Sequence, residues 1–498
     1  MRIALITEGT YPYVAGGVST WCQQLLTGLD RHAFQLVAIT AYAGGQRAAY
    51  ELPPNVAAVR TVPVWDRARP ATGWVARGRH RRSGTAAAVP LCRGLLDDGP
   101  KAAGLFAGGL RQLAQQAAGG AHPLHDVPLA EVLVDAWQAS RVAGGDVRLP
   151  LPRLSLRDAR DAAVLLEHAV RPLAHRLPPV DACHPVAAGL PLLVALAAKW
   201  RTGTPYLLTE HGSYLRERYL EYGDSLPVAV KAVMLRFYRA LARLGYAEAA
   251  VVSSVSDFNR RWELRHGAEP ARVRVVPNGV APDAYPALAG EPADPTVVWV
   301  GRIDPLKDLH TLVRAFDTVR REVPGARLRL AGPVPATGAD YARSCHALVD
   351  SLGLREVVEF AGPVASSREA YATGSLVALS SISEGMPYTV IEAMMCGRAT
   401  VSTDVGGVAE TVGDAGVVVP PGDPAAFAAG CVRLLRDPAE RARLGEAARA
   451  RALARYTLPH MLAAYDDLYG EVAATAPVRL PVVDRLPAAD PTIALAPT

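Results

Sequence analysis

The chain has 498 residues, of which half are hydrophobic and a fifth are charged, and its formal net charge is +5. This length exceeds what one ordinary hydrophobic core supports, so two domains with extensions are expected. The glycine and proline content, 43 and 40 residues, is too low for a chain that is disordered throughout, and the small net charge indicates no nucleic-acid partner.

The cysteines and apolar segments predict a soluble cytoplasmic protein. The six cysteines are scattered without a CxxC pair, so they are interpreted as reduced thiols rather than a disulfide framework. The apolar run in "MRIALITEG" is too short for a signal peptide. The longest apolar segment, 186–198, is shorter than the roughly 18 residues of a membrane span. Any attachment to the inner face of a membrane would therefore go through partners.

The first elements have the order of a parallel α/β unit. "RIALIT" at 2–7 and "FQLVAIT" at 34–40 are short apolar runs typical of buried strands. Between them a glycine-containing loop leads to an amphipathic helix at 19–29, whose Thr20 and Gln23 have capping-box spacing. Strand, loop, helix and strand in this order favour a doubly wound sheet.

The alternation is lost between about 66 and 179, which is interpreted as a largely helical insertion. Its arginine run at 67–82 is interpreted as a solvated loop, with contact to an anionic membrane or polymer as the alternative. Strands and helices then alternate again. The strands are expected at 182–185, 205–212 and 249–256, and the helices at 186–200 and 227–244.

A second alternating series follows. Its strands are expected at 296–301, 327–332, 357–362, 375–381 and 399–407, and its helices at 309–322, 341–352 and 368–373. The chain is therefore divided into an N-terminal domain at 1–282, a C-terminal domain at 283–456, a final helix at 457–472 that could cross back, and a proline-rich disordered tail at 473–498. The predicted fold class is α/β, with two doubly wound Rossmann-like domains facing each other across a cleft, where ligands bind at the carboxyl ends of the strands.

Two glutamates flank a turn at one of these strand ends. Glu384 precedes a Gly-Met-Pro turn, and Glu392 lies in the apolar helix that Pro387 is expected to begin. The free backbone donors of a helix start suit an anion, and a part-buried carboxylate needs a partner such as a hydroxyl group. The two glutamates thus suggest a ligand that has hydroxyl groups on either side of a phosphate, with each carboxylate binding one of them. In the alternative interpretation the helix is merely capped, with one glutamate exposed and the other paired to Arg398.

Three further positions are candidates. Arg302 and Lys307 in "GRIDPLKD" place two cations across a strand-to-helix turn, which suits a diphosphate unless both are ordinary surface cations. Gly16 and Gly17 precede a helix and would let the backbone approach a ligand closely. His211 follows another strand in "TEHG" and is either a site residue or a structural histidine.

Together these motifs resemble the retaining family-4 glycosyltransferases with the GT-B fold. The E-x7-E motif matches Glu384 and Glu392, and the Arg…Lys pair matches Arg302 and Lys307. "VPNGV" and "STDVGGVAE" also fit. "ITEGTYPYVAGGVSTW" and "LTEHGSYLRERYLE" resemble a narrower branch, the PelF-type transferases of exopolysaccharide synthesis.

The resemblance implies a metal-independent hexosyltransferase that retains the anomeric configuration and uses no cofactor. The C-terminal domain would bind a nucleotide sugar, UDP-glucose or similar, with Arg302 and Lys307 on the leaving diphosphate. Glu384 would hold a hydroxyl of the donor sugar and Glu392 the ribose.

The same resemblance places the remaining site residues. His211 would face the transferred sugar, and Gly16 and Gly17 would line the diphosphate and the acceptor side of the N-terminal domain. The acceptor would be a polysaccharide or glycoconjugate, and a membrane-associated synthase is a candidate partner. The loop residues assigned to the donor site are Gly301, Gly385, Met386 and Pro387.

Other functions remain open at this point. An epimerase or a phosphorylase could share the fold, although a phosphorylase needs a lysine for pyridoxal phosphate and Lys307 is the only site candidate. A catalytically silent scaffold that binds a nucleotide sugar is an alternative of a different class. A dinucleotide-dependent dehydrogenase is disfavoured because GxGxxG and its downstream acidic residue are missing.

Overall fold

The computed structural model describes residues 1–44, 47–66, 74–117, 122–142, 151–223, 225–335 and 338–475. The first part of the arginine run and most of the predicted disordered tail lie outside these residues. Within the described ranges, none of the helices combines the length and apolar composition that spanning a lipid bilayer requires.

The N-terminal half is built on parallel strands that pair in the order β3-β2-β1-β4 and β5-β6-β7. A bridge between Cys183 and Tyr206 joins β4 to the start of β5, so the two sheets are continuous. The strand order therefore reverses between β1 and β4, which is where a doubly wound sheet opens a ligand crevice. The strands are β1 (Arg2–Glu8), β2 (Ala33–Thr40), β3 (Val56–Pro63), β4 (Ala182–Pro185), β5 (Leu207–Glu210), β6 (Val251–Ser254) and β7 (Val273–Val275).

Helices cover both faces of this sheet. Within the predicted insertion, the described residues form α2 to α5, which share one hydrophobic core with α6 and α8. The helices are α1 (Gly17–Gly28), α2 (Trp74–Leu96), α3 (Ala102–Gln116), α4 (Leu129–Val142), α5 (Leu156–Ala169), α6 (Pro191–Thr202), α7 (Tyr214–Tyr222), α8 (Val228–Glu248) and α9 (Asp257–Arg265).

Two predicted helix starts in this half are wrong. Helix α1 begins at Gly17 with Gly16 as its N-cap and has no side-chain cap. Gln23 does not close a capping box, because its amide accepts from the Tyr11 hydroxyl at 2.8 Å and donates to the Glu51 carbonyl at 3.1 Å. Helix α6 begins at Pro191 rather than 186, since proline is well suited to the first helical position.

The C-terminal half contains a single parallel sheet with the order β10-β9-β8-β11-β12-β13. This is the doubly wound order 3-2-1-4-5-6, whose reversal lies between β8 and β11. The strands are β8 (Thr296–Val300), β9 (Arg327–Ala331), β10 (Val358–Gly362), β11 (Leu376–Leu379), β12 (Thr400–Thr403) and β13 (Val417–Val419). The helices are α10 (Leu309–Glu322), α11 (Ala339–Ser351), α12 (Ser367–Ala372), α13 (Tyr388–Met395), α14 (Val408–Val412), α15 (Pro424–Arg436), α16 (Pro438–Arg455) and α17 (Leu458–Ala474).

The last helix, α17, packs on the N-terminal half. Val280 pairs with Thr457 where the chain crosses between the halves in both directions. Helix α17 then buries one face in the core formed by β1, β2 and α1. It ends at Ala474, inside the predicted tail, and residues 476–498 lie outside the described part of the chain. The buried face consists of Met461, Tyr465, Leu468, Tyr469 and Val472.

Replacing Tyr465 with alanine is expected to destabilise the protein by roughly 3–5 kcal/mol, the range for losing a buried aromatic side chain. Tyr465 is fully buried, and its hydroxyl lies 3.0 Å from the Ser253 hydroxyl. Tyr465→Phe keeps the ring and should cost only about 1 kcal/mol for the lost hydrogen bond. Urea unfolding of both variants measures the difference, and equal midpoints for the two would contradict this account of α17.

Candidate active site

The two halves meet at the carboxyl edges of their sheets. Gly385, which follows β11, packs on the loop after β5, since a Cβ atom built there would lie 1.6 Å from the His211 carbonyl oxygen. Arg216 of α7 donates to the Ile382 carbonyl at 3.2 Å. The Tyr388 hydroxyl donates to Gln24 of α1 at 2.9 Å. The loops that follow the strands of both sheets therefore border one cleft.

Lys307 and Glu384 are in direct contact in this cleft. The Lys307 Nζ lies 2.6 Å from Glu384 Oε1, and the Ser381 hydroxyl donates to the same oxygen at 2.7 Å. The two side chains are 22% and 11% exposed. Ser380 also donates to the Lys307 carbonyl at 2.8 Å, so the loop after β11 fixes the 3-10 turn that carries the lysine. The arrangement places a cation and an acid side by side at the β8/β11 reversal.

The structure does not bring Arg302 into this contact. Its guanidinium is half exposed and lies 3.6 Å from the Asp304 carboxylate. Gly301 precedes it at the end of β8, where a Cβ atom on Gly332 would lie 1.7 Å from the Gly301 carbonyl oxygen. The close backbone packing of Gly301 holds the start of this loop, while the arginine side chain remains half exposed.

Glu392 is held by a tyrosine rather than an arginine. The Tyr371 hydroxyl donates to Glu392 Oε2 at 2.8 Å. The buried Arg398 instead donates to the Tyr371 carbonyl at 3.3 Å, and no ion pair joins it to Glu392 within the described ranges. Glu384 is also largely buried. Both parts of the capped-helix interpretation are therefore wrong.

The turn between the two glutamates is fixed from both sides. Pro387 is the N-cap of α13 and not its first residue, which corrects the prediction. The side chain of Asn278, from the "VPNGV" motif, donates to the Met386 carbonyl at 2.8 Å. Gly407 donates its N–H to the Gly385 carbonyl at 2.7 Å. Sequence reasoning noted both motifs without assigning Asn278 a role.

His211 lies on the N-terminal side of the cleft. Its ring packs edge-on against Trp21 with centroids 4.6 Å apart, and its buried Nε2 has no hydrogen-bond partner among the described residues. Burial lowers the pKa of His211 to about 3. Gly17 begins α1 nearby, with its Cβ position 3.7 Å from the Tyr388 ring. Gly16 has open space around its Cβ position, so this loop leaves room for a ligand.

Replacing His211 with asparagine is expected to change how stability depends on pH. The lowered pKa means that the folded state resists protonation, whereas an unfolded histidine binds a proton near pH 6.5. Wild type should therefore lose stability relative to His211→Asn as the pH falls below about 6.5, by up to ~1.4 kcal/mol per pH unit. Urea unfolding of both proteins at pH 7 and pH 5 measures this, and parallel losses would show that His211 is not buried in neutral form.

A group of N-terminal residues was missed by sequence reasoning. Glu8 at the end of β1 accepts from the Tyr214 hydroxyl at 2.8 Å and from the Leu190 N–H at 3.1 Å. Burial raises the pKa of Glu8. The sequence signal that could have identified Glu8 was an acidic residue directly after a predicted buried strand. In the parts of the chain that the structure describes, no three His, Cys, Asp or Glu side chains are grouped so that they could hold a metal ion.

Comparison with known proteins identifies both halves. Residues 1–271, more than half of the chain, match the family model described as Domain of unknown function (DUF3492). The chain belongs to the DUF3492 family. In this DUF3492 protein, residues 294–437 match a second model, described as Glycosyl transferases group 1. The cleft described above thus lies between the DUF3492 region and the region that matches the group 1 glycosyl transferase model.

Curated relatives match part of this DUF3492 protein. A D-inositol 3-phosphate glycosyltransferase of Kineococcus radiotolerans is 38% identical over 242 residues, covering 43% of this chain and 56% of its own. One with the same name from Acidothermus cellulolyticus is 34% identical over 254 residues, covering 47% of this chain and 56% of its own. The chain therefore spans little more than half the length of these relatives.

Solved structures match the DUF3492 protein over nearly its whole length. Sucrose-phosphate synthase of Thermosynechococcus elongatus superposes with a TM-score of 0.62 at 19% identity, covering 95% of this chain and 99% of its own. Anabaena HepE in complex with UDP superposes with 0.60 at 15% identity, covering 94% and 100%. These likenesses confirm the predicted GT-B fold.

Proposed function

We propose that the protein is a retaining glycosyltransferase that moves a hexose from a nucleoside diphosphate sugar to a polysaccharide or glycoconjugate acceptor. The observation that carries the proposal is the contact between Lys307 and Glu384, held by Ser381 at the reversal point of the C-terminal sheet. The match of this domain to the group 1 glycosyl transferases supports it, as does the naming of the relatives as glycosyltransferases. The complex of HepE with UDP makes UDP-glucose the first donor to test.

Lys307 and Arg302 are proposed to bind the diphosphate of the donor. As the bond from the anomeric carbon to the phosphate oxygen breaks, negative charge grows on that oxygen. A preorganised cation there stabilises the transition state more than the ground state. The half-exposed Arg302 is free to turn onto the second phosphate, where its fork suits two oxygens. Since Lys307 and Arg302 neutralise the charges of the two phosphates, no metal ion is proposed.

The two glutamates are proposed to fix the hydroxyl groups on either side of the diphosphate. Glu384 would accept from a hydroxyl of the transferred sugar, because Lys307 and Ser381 already orient one of its oxygens. Glu392, whose Oε2 is bound by Tyr371, would accept from the ribose. The start of α13 lies between them and presents backbone N–H groups to the phosphates.

The transfer is proposed to occur on one face of the sugar. The bond from the anomeric carbon to phosphate breaks, the bond to the acceptor oxygen forms, and the departing phosphate oxygen takes the acceptor proton. This step needs no nucleophilic side chain. A glycosidase mechanism would use a free carboxylic acid, and Glu384 is instead paired to a lysine.

The biological setting is proposed from the sequence alone. "ITEGTYPYVAGGVSTW" and "LTEHGSYLRERYLE" resemble the PelF-type branch. On this basis the protein would act in exopolysaccharide synthesis in the cytoplasm, with a membrane-associated synthase as its partner.

A panel of UDP-, GDP- and ADP-sugars tests the proposal. Calorimetry measures the binding of each donor, and a coupled assay measures the release of nucleoside diphosphate. Binding together with release from one donor supports the transferase. Tight binding with no release, with or without polyol and glycan acceptors, would instead support a silent scaffold.

A further inference from the structure

The N-terminal sheet has its own reversal point, between β1 and β4, and helix α7 lies across it. The ring of Tyr214 packs on Gly189, where a Cβ atom would lie 2.3 Å from the ring. The Tyr214 hydroxyl donates to Glu8 at the end of β1. Helix α7 is therefore anchored at the edge of the sheet that faces the cleft. The donor roles proposed above do not use the side chains of this helix.

Glu217, in the first turn of α7, points back to the cleft loop. Its Oε1 lies 2.2 Å from where a Cβ atom on Gly212 would be, so the carboxylate rests directly on the α-carbon of this glycine. Gly212 adjoins His211, whose carbonyl oxygen contacts Gly385 of the opposite domain. Glu217 thus stands on the N-terminal wall of the cleft, next to the loop that carries Glu384.

The Glu217 carboxylate is largely shielded and has no hydrogen-bond or ion-pair partner among the residues that the structure describes. Burial raises its pKa to about 7, and the neighbouring Arg218 opposes this shift. The charges of Glu221 on the same helix, Glu384 across the cleft and Glu8 on β1 raise the pKa further. A shielded carboxylate with free acceptor sites is stabilised by a hydrogen-bond donor, and in a cleft open to ligand a hydroxyl group of that ligand can be the donor.

We propose that Glu217 binds the acceptor substrate, by accepting a hydrogen bond from the reacting hydroxyl group of an uncharged polyol or sugar. This inference rests on the proposed function. The opposite wall already holds groups for the diphosphate, the transferred sugar and the ribose, so the N-terminal wall is left for the acceptor. Among the described residues no cation is bonded to the Glu217 carboxylate, unlike Glu384 with Lys307, so the acceptor group that contacts Glu217 is a hydroxyl rather than an anion.

Two variants test the role of Glu217 independently. Glu217→Gln removes the charge and keeps the shape. Gly212→Ala leaves the glutamate in place, but its new methyl group would displace the carboxylate, which is the flexible end of a side chain. The matched control is Glu221→Gln, on the same helix, where the side chain is 52% exposed and paired to Arg218.

The probes are UDP for binding and the donor that binds most tightly in the panel, with water as the smallest acceptor, for turnover. Both test variants are expected to slow the release of UDP by about 10²-fold while the Kd for UDP stays within about twofold. The wild-type rate should rise with pH through an inflection near 7 as Glu217 ionises, and Glu217→Gln should lose this inflection. Glu221→Gln should keep the rate, and its inflection should remain but move to lower pH, because the charge of Glu221 raises the pKa of Glu217.

Three results would overturn the inference. One is a Glu217→Gln rate and pH profile equal to those of wild type. Another is a wild-type rate in Gly212→Ala together with a reduced rate in Glu217→Gln. The Glu217 carboxylate would then act from a position other than the one beside Gly212. The third is a loss of UDP affinity in proportion to the loss of rate, which would place Glu217 on the donor side. A wild-type protein that releases nucleoside diphosphate from none of the donors in the panel would instead refute the proposed function.

Discussion

Lys307→Ala is expected to slow release of the nucleoside diphosphate by roughly 10²–10³, about 3–4 kcal/mol of transition-state stabilisation. Lys307 is the one proposed diphosphate ligand that the structure fixes in place, by Glu384 and by the loop after β11. Its removal also leaves Glu384 without its cation, so the carboxylate would repel the departing phosphate. The loss should therefore appear mainly in kcat, measured by a coupled assay for the diphosphate at saturating donor.

Lys101→Ala is the matched control, because this lysine is exposed and lies at the start of α3 in the insertion. It should leave kcat unchanged. Arg302→Ala offers a comparison within the site, since Asp304 at 3.6 Å is the only ion-pair partner of the half-exposed Arg302 guanidinium among the described residues. We expect Arg302→Ala to raise the KM for the donor as well as to slow turnover by roughly 10²-fold. Wild-type rates from both the Lys307 and the Arg302 variants would refute the assignment of the diphosphate site.

The sequence predicted the parts of the fold that depend on local patterns. Strands β1 and β4 and helix α10 lie within a residue of their predicted bounds, because each is an apolar run or an amphipathic stripe with clear ends. Helix α10 is also capped by Asp308, whose side chain accepts from the Thr311 N–H at 3.2 Å. Strand β3 was not predicted, because it lies partly exposed at the sheet edge and Arg60 and Thr61 interrupt its apolar residues.

Errors arose where a distant partner decides the outcome. Thr20 and Gln23 have the spacing of a capping box, but Gln23 is used by Tyr11 and by the Glu51 carbonyl, so the helix starts earlier. The sequence predicted that Lys307 and Glu384 lie on the same side of the sheet, because each follows a predicted strand. Their direct contact was not predicted. Glu217 was missed because nothing local separates it from Glu221, and its place depends on a missing Cβ atom at Gly212.

The contact that closes the cleft also depends on a residue without a Cβ atom, Gly385. Gly385→Ala would place a methyl group 1.6 Å from the His211 carbonyl oxygen, and a backbone atom cannot move aside as a flexible side chain can. The contact must open, which moves Glu384 away from the N-terminal wall by more than about 1 Å and is expected to slow turnover by about 10²-fold or more. The unfolding midpoint should change little, because each sheet keeps its own core.

Small-angle scattering with and without UDP, together with the rate of UDP release, tests this expectation. Wild type should keep a compact closed form, whereas Gly385→Ala should show a larger radius of gyration and a reduced rate. Gly104→Ala is the matched control, because its Cβ position in α3 is open and alanine should stabilise that helix by about 0.5–1 kcal/mol. A Gly385→Ala protein as compact and as active as wild type would show that contact between Gly385 and His211 is not needed for turnover. Since Glu384 and Glu217 are proposed to act on the two substrates from opposite walls, that contact is what would bring the acceptor hydroxyl within reach of the anomeric carbon.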